Sequence, residues 1–318
     1  MNTTLRNYRE EDLQSIADLI TSAEAVDQLG QGRSAGELRE RFAIPGFDPY
    51  RDVYVVKDTN QRTVGFAEIM LDEGPEQSLF YAGITIHPDC RHMALEKPLL
   101  ERLWERTTER RREVKSKRIL FIAYCPAHHE RVTAIFERFG LSVMRYSPNL
   151  VYQPLENLQG PQFPSNVEAR PYDWGPDDAS AMEAYNEAFA EDREYVPVKE
   201  EEWQHWLKRL RAQKGSSWVA VDEGAVVGFC ISSTSEERIR LLGREDGYIN
   251  ILAVRPTHRR QGLGTALLLS CLRDLKATGM ESVTILTDTD NPTEAMHLYE
   301  QVGFQEKWRW VTYAREIE

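Results

Sequence analysis

The strongest constraint on the fold of this chain is an internal repeat. The same sequence signals occur twice, in the same order, roughly 163 to 168 residues apart. The matching segments are Arg6-Asn7-Tyr8 with Arg170-Pro171-Tyr172, Val64-Gly65-Phe66 with Val227-Gly228-Phe229, Ile84 to Pro88 with Leu252 to Pro256, and Phe139-Gly140-Leu141 with Val302-Gly303-Phe304. Because four matches in one order are hard to obtain by chance, we predict that the two halves are related copies of one fold.

A linker between the copies divides the chain into two domains. Residues 154–166 contain three prolines together with Gly160 and Ser165, a composition typical of linkers. The 318 residues are enough for two domains that each bury a core. We therefore predict a first domain over residues 1–153, a linker over 154–166 and a second domain over 167–318. Strand and helix patterns alternate in each copy, which predicts an α/β fold.

Composition argues against several classes of protein. The sequence is 41% hydrophobic and 28% charged, and no stretch approaches the ~20 apolar residues of a membrane span, so we expect no membrane partner. The net charge of -12 disfavours nucleic acid and would attract protonated amines if acidic residues line a cleft. The chain starts without the apolar run of a secretory signal and its four cysteines show no paired short spacing, so we expect a cytoplasmic location. The pair His128-His129 lacks neighbouring ligands, and we assign no metal.

A glycine-rich turn follows a buried strand in the second half. Tyr248 to Val254 is apolar on both alternating faces, which predicts a central strand covered on both sides. The segment from Arg259 to Thr265 contains Gly262 and Gly264 and leads into a helix that Gly279 is expected to end. Such a turn exposes unpaired backbone N–H groups at the positive end of a helix, which suits a pyrophosphate.

A second motif follows at a fixed distance. After a strand predicted over residues 282–287, Asn291 is expected to be the N-cap of a helix, with Pro292 at its first position and Glu294 as the capping partner. Ala295 and Tyr299 are one turn apart on this helix.

Together these residues resemble the GNAT superfamily of acyl-CoA-dependent N-acyltransferases, which have an R-x-x-G-x-G turn after a strand and a later N…A…Y…G-F helix. The resemblance covers residues 248–304 strongly and 167–247 loosely. It implies two tandem GNAT-like domains, each with a mixed, mostly antiparallel central sheet flanked by helices. It also implies acetyl-CoA, or another acyl-CoA, as co-substrate.

The resemblance assigns roles to particular residues. The backbone of Leu252, Ala253 and Val254 would hold the pantetheine arm, and Asn291 would contact it. Tyr299 occupies the position of the acid that protonates the departing thiolate. The pyrophosphate would be cradled by a run of seven residues: Arg259, Arg260, Gln261, Gly262, Leu263, Gly264 and Thr265.

The acceptor and the general base stay open at this stage. The resemblance implies a small-molecule or peptide amine, and the acidic net charge is compatible with a cationic one. Many members of the family carry an acid on the strand before the turn, but this chain has Asn250 there, preceded by Asp246. Other acidic candidates are Glu191, Asp192 and Glu194, which are equally well explained as solvated loop residues. The sequence also leaves open whether the chain forms a homo-oligomer.

The first half has lost the motif residues. Alignment of the two copies puts Ala94 opposite Gly262 and Glu96 opposite Gly264, and a glutamate there would repel an anion. His128 replaces Asn291 and Phe136 replaces Tyr299, so the hydroxyl is missing as well. We therefore expect no acyl-CoA site of the usual kind in residues 1–153.

Two other functions compete with this interpretation. A dinucleotide-binding oxidoreductase would also place Gly262 and Gly264 before a helix. However, this chain has Leu267 at the position where that fingerprint requires a third glycine, and Arg259 has no role in the fingerprint. A non-enzymatic acyl-CoA-binding sensor would keep the turn and could lack an acid at Asn250. Retention of Tyr299 favours the enzyme.

Overall fold

The structure is a computed structural model that describes residues 3–30, 32–192, 195–289 and 295–317. The chain divides into two compact units. Unit 1 consists of Met1–Arg145 and Trp310–Glu318, and unit 2 consists of Tyr146–Arg309. No helix in the described part of the chain is both long and apolar enough to cross a membrane.

The strands are β1 (Thr4–Asn7), β2 (Val53–Lys57), β3 (Thr63–Glu73), β4 (Gln77–Ile86), β5 (Arg118–Pro126), β6 (Ser142–Tyr152), β7 (Glu168–Pro171), β8 (Ser217–Asp222), β9 (Ala225–Thr234), β10 (Asp246–Val254), β11 (Ser282–Leu286) and β12 (Gln305–Glu316). The helices are α1 (Leu13–Asp27), α2 (Ala35–Phe42), α3 (Pro49–Asp52), α4 (Glu96–Arg110), α5 (Glu130–Arg138), α6 (Asp178–Phe189), α7 (Glu200–Ala212), α8 (Glu236–Leu242), α9 (Leu263–Ala277) and α10 (Ala295–Val302).

Unit 1 is built on a mixed sheet with the strand order β1-β2-β3-β4-β5-β12. Neighbouring strands are antiparallel except β4 and β5, which are parallel. Its last strand is the end of β12, which pairs with β5 from Trp310 opposite Pro126 to Glu316 opposite Leu120. One face of the sheet packs on α1 and α2, and the other packs on α4 and α5.

Unit 2 repeats this plan with the strand order β7-β8-β9-β10-β11-β6. Here β10 and β11 are the parallel pair, and the end of β6 closes the sheet antiparallel to β11. Helices α6 and α7 cover one face and α9 and α10 cover the other, so β10 is buried on both sides as its apolar run predicts. The predicted α/β class, with a mostly antiparallel sheet flanked by helices, is confirmed in each unit.

The repeat extends to individual contacts within each unit. The guanidinium of Arg6 donates two hydrogen bonds of 2.7 and 2.8 Å to Asp12, and Arg170 donates two of the same lengths to Asp177. The N–H of His87 donates to the Val64 carbonyl at 3.0 Å, as that of Arg255 donates to Val227 at 2.8 Å. These pairs join the elements that the sequence alignment matched.

The compact units differ from the division at residues 154–166 that the sequence composition suggested. Strand pairing causes the difference, because β11 binds residues 149–152 into unit 2 and β5 binds residues 310–316 into unit 1. Inside the linker segment, Leu155 is buried and its N–H donates to the Glu281 carbonyl at 3.2 Å. The boundary between the sequence copies stays a prediction.

Candidate active site

A cleft of about 660 Å³ lies between β10 and β11 in unit 2. Among the described residues, these strands pair from Asp246 opposite Ser282 to Ile249 opposite Ile285 and no further. Just beyond that point the pairing of β10 with β9 slips by one residue at Asn250, which is a β-bulge. From there to Val254, one edge of β10 faces the cleft without a partner strand among the described residues. Apart from the Val254 carbonyl, which accepts from Arg259, the backbone groups of that edge can bond an extended ligand.

The glycine-rich turn forms the second side of the cleft. Gly262 has a φ of +80° and caps α9 as its N-cap residue, a conformation that favours glycine. The first hydrogen bond within the helix runs from the N–H of Ala266 to the Gly262 carbonyl, which leaves the earlier N–H groups of the helix unpaired by it. A side chain at Gly264 would begin 3.2 Å from Leu298 of α10, so there is little room for one.

The two arginines of the turn differ in their contacts and backbone conformation. Arg259 donates to the carbonyls of Ala188 at 2.6 Å and Val254 at 3.2 Å and pairs with Glu191 at 2.7 Å, so it fastens the end of α6 to the end of β10. Arg260 has a φ of +60° and lines the cleft. Both arginines line the cleft.

Tyr299 lies on the third side of the cleft, on α10. Its side chain is only 5% exposed, and the described residues offer its hydroxyl no hydrogen-bond partner. Burial, together with the nearby Cys230 thiol, raises the pKa of Tyr299 well above its usual value. The hydroxyl therefore keeps its proton at neutral pH.

The structure brings most of the predicted site residues together. Gln261 does not line the cleft, and its side chain donates instead to the Thr257 carbonyl at 3.4 Å. Asn291, with Pro292 and Glu294, lies outside the described residues, so the predicted cap of α10 stays a prediction. The predicted residues that line the cleft are Leu252, Ala253, Val254, Arg259, Arg260, Gly262, Leu263, Gly264, Thr265 and Tyr299.

The acidic residues considered as a general base lie in different environments in the structure. Asp246 is fully buried at the start of β10, where Arg238 and the hydroxyls of Ser282 and Thr284 bind its carboxylate, so it fastens β10 to α8 and β11. The carboxylate of Glu191 pairs with Arg259 outside the cleft, and Glu194 lies outside the described residues. Asp192 lines the cleft, as does Asp288, which the sequence analysis did not consider as a base.

An aromatic wall on α6 and α7 is the feature that the sequence analysis missed. Tyr185, Phe189 and Trp206 line the cleft, with ring centroids 4.6 Å apart for Tyr185 and Phe189 and 5.6 Å apart for Tyr185 and Trp206. The signal was present in the sequence, because Tyr185 and Phe189 are four residues apart and therefore share one face of a helix.

Comparison with known proteins agrees with this geometry. The profile of the Acetyltransferase (GNAT) family matches residues 179–304. A mycothiol acetyltransferase of Parafrankia sp. (strain EAN1pec) is 26% identical over 98% of this chain and 97% of that protein. Residues 179–304, which contain the glycine-rich turn and Tyr299, are therefore similar to GNAT acetyltransferases. A second mycothiol acetyltransferase, from Saccharomonospora viridis, is 30% identical over 59% of this chain and 62% of that protein.

Solved GNAT structures share the fold over nearly the full length. A GCN5-related N-acetyltransferase from Sphaerobacter thermophilus has a TM-score of 0.74 at 22% identity and covers 99% of this chain and 95% of its own. A tandem GNAT protein from the clavulanic acid biosynthesis pathway has a TM-score of 0.73 at 17% identity and covers 99% and 98%. The chain thus has the tandem GNAT fold.

The GNAT copy in unit 1 has a cleft of about 420 Å³ in the corresponding place. Its turn keeps one positive φ of the other copy, because Ala94 has a φ of +52° where Gly262 has +80°. Glu96, at the position of Gly264, lines the cleft and forms an ion pair with Arg131. Phe136 replaces the tyrosine of α10 and packs edge-on against Tyr313.

Proposed function

We propose that unit 2 transfers an acetyl group from acetyl-CoA to a primary amine by direct attack of the amine on the thioester. One observation carries this proposal: a single cleft combines an unpartnered edge of β10, the unpaired amides at the start of α9 and the Tyr299 hydroxyl. The three features correspond to the three needs of the reaction, which are to hold an extended arm, to bind phosphates and to assist a leaving thiolate.

The residues fit acetyl-CoA along the length of the cleft. The pantetheine arm would add to β10 as a short strand, bonded to the backbone of Leu252, Ala253 and Val254. The pyrophosphate would lie at the start of α9, where the helix dipole and Arg260 favour negative charge. Negative charge that develops on the thioester oxygen would meet a backbone N–H of β10.

Tyr299 would act at the leaving sulfur as general acid. A thiol has a pKa near ~8.5 and a tyrosine near ~10, so complete transfer of the Tyr299 proton to a thiolate is uphill. The hydroxyl therefore serves chiefly as a hydrogen-bond donor to the leaving sulfur. The thiolate takes up one proton, and the amine loses one as it forms the amide, so any proton that Tyr299 gives to sulfur is returned to it. Breaking the C–S bond and forming the C–N bond is then balanced.

The acceptor would lie against the aromatic wall of Tyr185, Phe189 and Trp206. The carboxylates of Asp192 and Asp288 line the same cleft and would attract a protonated amine. Because relatives over nearly the full length carry the name mycothiol acetyltransferase, we propose a small-molecule amine related to mycothiol as the acceptor.

Unit 1 would take no acyl-CoA. The carboxylate of Glu96, held by Arg131, stands at the position where the other copy has Gly264, and a fixed negative charge there opposes a pyrophosphate. We therefore propose one acyl-CoA site for each chain, in unit 2.

Calorimetric titration of acetyl-CoA tests the site. We expect one equivalent to bind to the wild type and none to Gly264→Glu, which copies Glu96 of the other unit. Gly36→Glu is the matched control, because it adds the same residue at an exposed position of α2 in unit 1 and should bind like the wild type. No binding to the wild type, or equal binding to Gly264→Glu, would refute the proposed site, and two equivalents would refute the proposal for unit 1.

A further inference from the structure

The side-chain oxygen of Asn250, which lines the cleft, is buried and has no hydrogen-bond partner in the described part of the chain. Asn250 lies at the bulge of β10, where the register with β9 shifts between Ile249 and Ile251. The oxygen is buried, so it has lost its water without gaining a donor. Because nearly all buried polar atoms in proteins are paired, this exception indicates that a ligand supplies the donor.

The position of Asn250 along β10 indicates which ligand supplies the hydrogen-bond donor. The proposed acyl-CoA path runs from the start of α9 along Val254 to Leu252. At ~3.3 Å per strand residue, Asn250 lies about 7 Å beyond Leu252, on the side away from the phosphates. The acceptor amine has to meet the thioester at that end of the cleft, so the donor belongs to the acceptor.

We propose that the Asn250 oxygen accepts a hydrogen bond from the amino group of the acceptor and thereby directs its lone pair toward the thioester carbonyl. This inference rests on the acetyltransferase function proposed above and adds the chemical class of the acceptor. An amide oxygen holds an N–H, but unlike a carboxylate it takes no proton and adds no charge that favours the ammonium form. Asn250 therefore suits an amine that is already substantially neutral near pH 7.

Reference pKa values define that class. An α-amino group, with a pKa of ~7.7–8.0, is neutral in about one molecule in eight at pH 7, whereas a lysine-type amine, at ~10.4, is neutral in fewer than one in a thousand. The acceptor is thus an α-amino compound, or one whose amine has electron-withdrawing oxygens nearby. The other charged and titratable groups that line the cleft are Asp192, Asp288, Arg259, Arg260, His297, Tyr185 and Tyr299.

Asn250→Leu in the full-length protein tests the role of the oxygen. Because it removes an unpaired buried acceptor, we expect a melting temperature equal to or above that of the wild type without ligand, and unchanged acetyl-CoA affinity. Asn186→Leu is the matched control, since Asn186 is bonded to Tyr195 and to both backbone groups of Val198 and should melt at a lower temperature when replaced. A fall in melting temperature for Asn250→Leu like that of the control would make Asn250 a structural residue and overturn the proposal.

Release of CoA with three probe amines, glycinamide, glucosamine and n-butylamine, tests the acceptor class at pH 7. We expect the wild type to favour the first two, and Asn250→Leu to lower their kcat/KM at least tenfold. Asn250→Asp, which keeps an oxygen acceptor, should recover most of that loss. Preference for n-butylamine, unchanged kcat/KM in Asn250→Leu, or acetyl-CoA binding without acetylation of any probe would overturn the inference. Absence of acetyl-CoA binding would instead refute the proposed function itself.

Discussion

At the scale of single residues, the environment of Tyr299 matters more than its position in a motif. The ring packs edge-on against Phe304 at 5.9 Å, and its N-terminal neighbours on α10 line the same cleft. The Tyr299 hydroxyl is therefore placed to donate a hydrogen bond to a ligand in the cleft. The leaving sulfur of a thioester would be such a ligand.

Replacement of Tyr299 by Phe should lower kcat by roughly 10²-fold or more, because the leaving thiolate loses its donor. Acetyl-CoA affinity should stay within a few-fold of the wild type, since the phosphate turn is untouched. Steady-state CoA release and calorimetry measure the two quantities. Tyr152→Phe is the control, because its hydroxyl donates to the Glu156 carbonyl at 3.0 Å and Tyr152 does not line the cleft. Unchanged turnover in Tyr299→Phe would favour a sensor that binds acyl-CoA without catalysis.

A second residue-scale prediction concerns acid stability. Burial raises the pKa of Asp12, but hydrogen bonds from Arg6, Lys57 and the Arg9 N–H outweigh it and lower the pKa to about 2. The stability contributed by the carboxylate is therefore present above about pH 4 and is lost as the pH falls through about 2. Asp12→Asn should destabilise unit 1 by about 2 kcal/mol at pH 7 and weaken its pH dependence between 4 and 2. Urea unfolding at several pH values checks this, and parallel curves for both proteins would contradict it.

At the scale of elements, both copies have a turn before the helix that follows the central strand, but the residues of the two turns differ. Ala94 and Gly262 both have positive φ, so unit 1 keeps the backbone conformation of this one position although its glycine has been lost. An alanine in this region costs about 1–2 kcal/mol relative to its preferred conformations, whereas glycine is nearly free of that strain. The turn in unit 1 is thus strained where that in unit 2 is relaxed.

Reciprocal substitutions should therefore have opposite effects. Ala94→Gly should stabilise unit 1 by about 0.5–1 kcal/mol, and Gly262→Ala should destabilise unit 2 by about 1 kcal/mol without unfolding it. No atom lies within 4 Å of a side-chain carbon added at Gly262, so strain and not a clash sets the effect. Chemical denaturation of the two variants measures it. Changes of the same sign in both would show that backbone strain does not control these turns.

The sequence predicted the elements of the site well because local patterns determine them. The apolar run before Val254 became β10, and the segment after Gly262 became α9, which ends next to Gly279. The bulge at Asn250 was not predictable, because a one-residue slip depends on the partner strand. Nor was the pairing of Arg259 with Glu191, since it joins segments 68 residues apart.

At the scale of the whole molecule, each unit contains a strand from outside its own repeat. Unit 1 ends with residues 310–316 on β5, and unit 2 ends with residues 149–152 on β11. Composition could indicate a linker at residues 154–166, but it carries no information about which distant strand completes a sheet edge. The sequence therefore predicted two copies of one fold without predicting which segments complete each copy.

Truncation after Arg309 should unfold unit 1 preferentially. It removes the strand that covers β5 together with Val311, Tyr313 and Ile317, which are buried in the core of unit 1. Hydrogen exchange should show lost protection in β4 and β5 while β9 and β10 keep theirs. A chain that lacks Glu318 alone is the control. Equal protection of unit 1 in both chains would mean that the last strand is dispensable.

The origin of that last strand also affects how the protein folds as it leaves the ribosome. Domains usually fold as units and in the order of their synthesis. Here the sheet of unit 1 lacks an edge until residue 316 has been translated, after all of unit 2 has been made. The half of the chain that is synthesised first is consequently the half that is completed last.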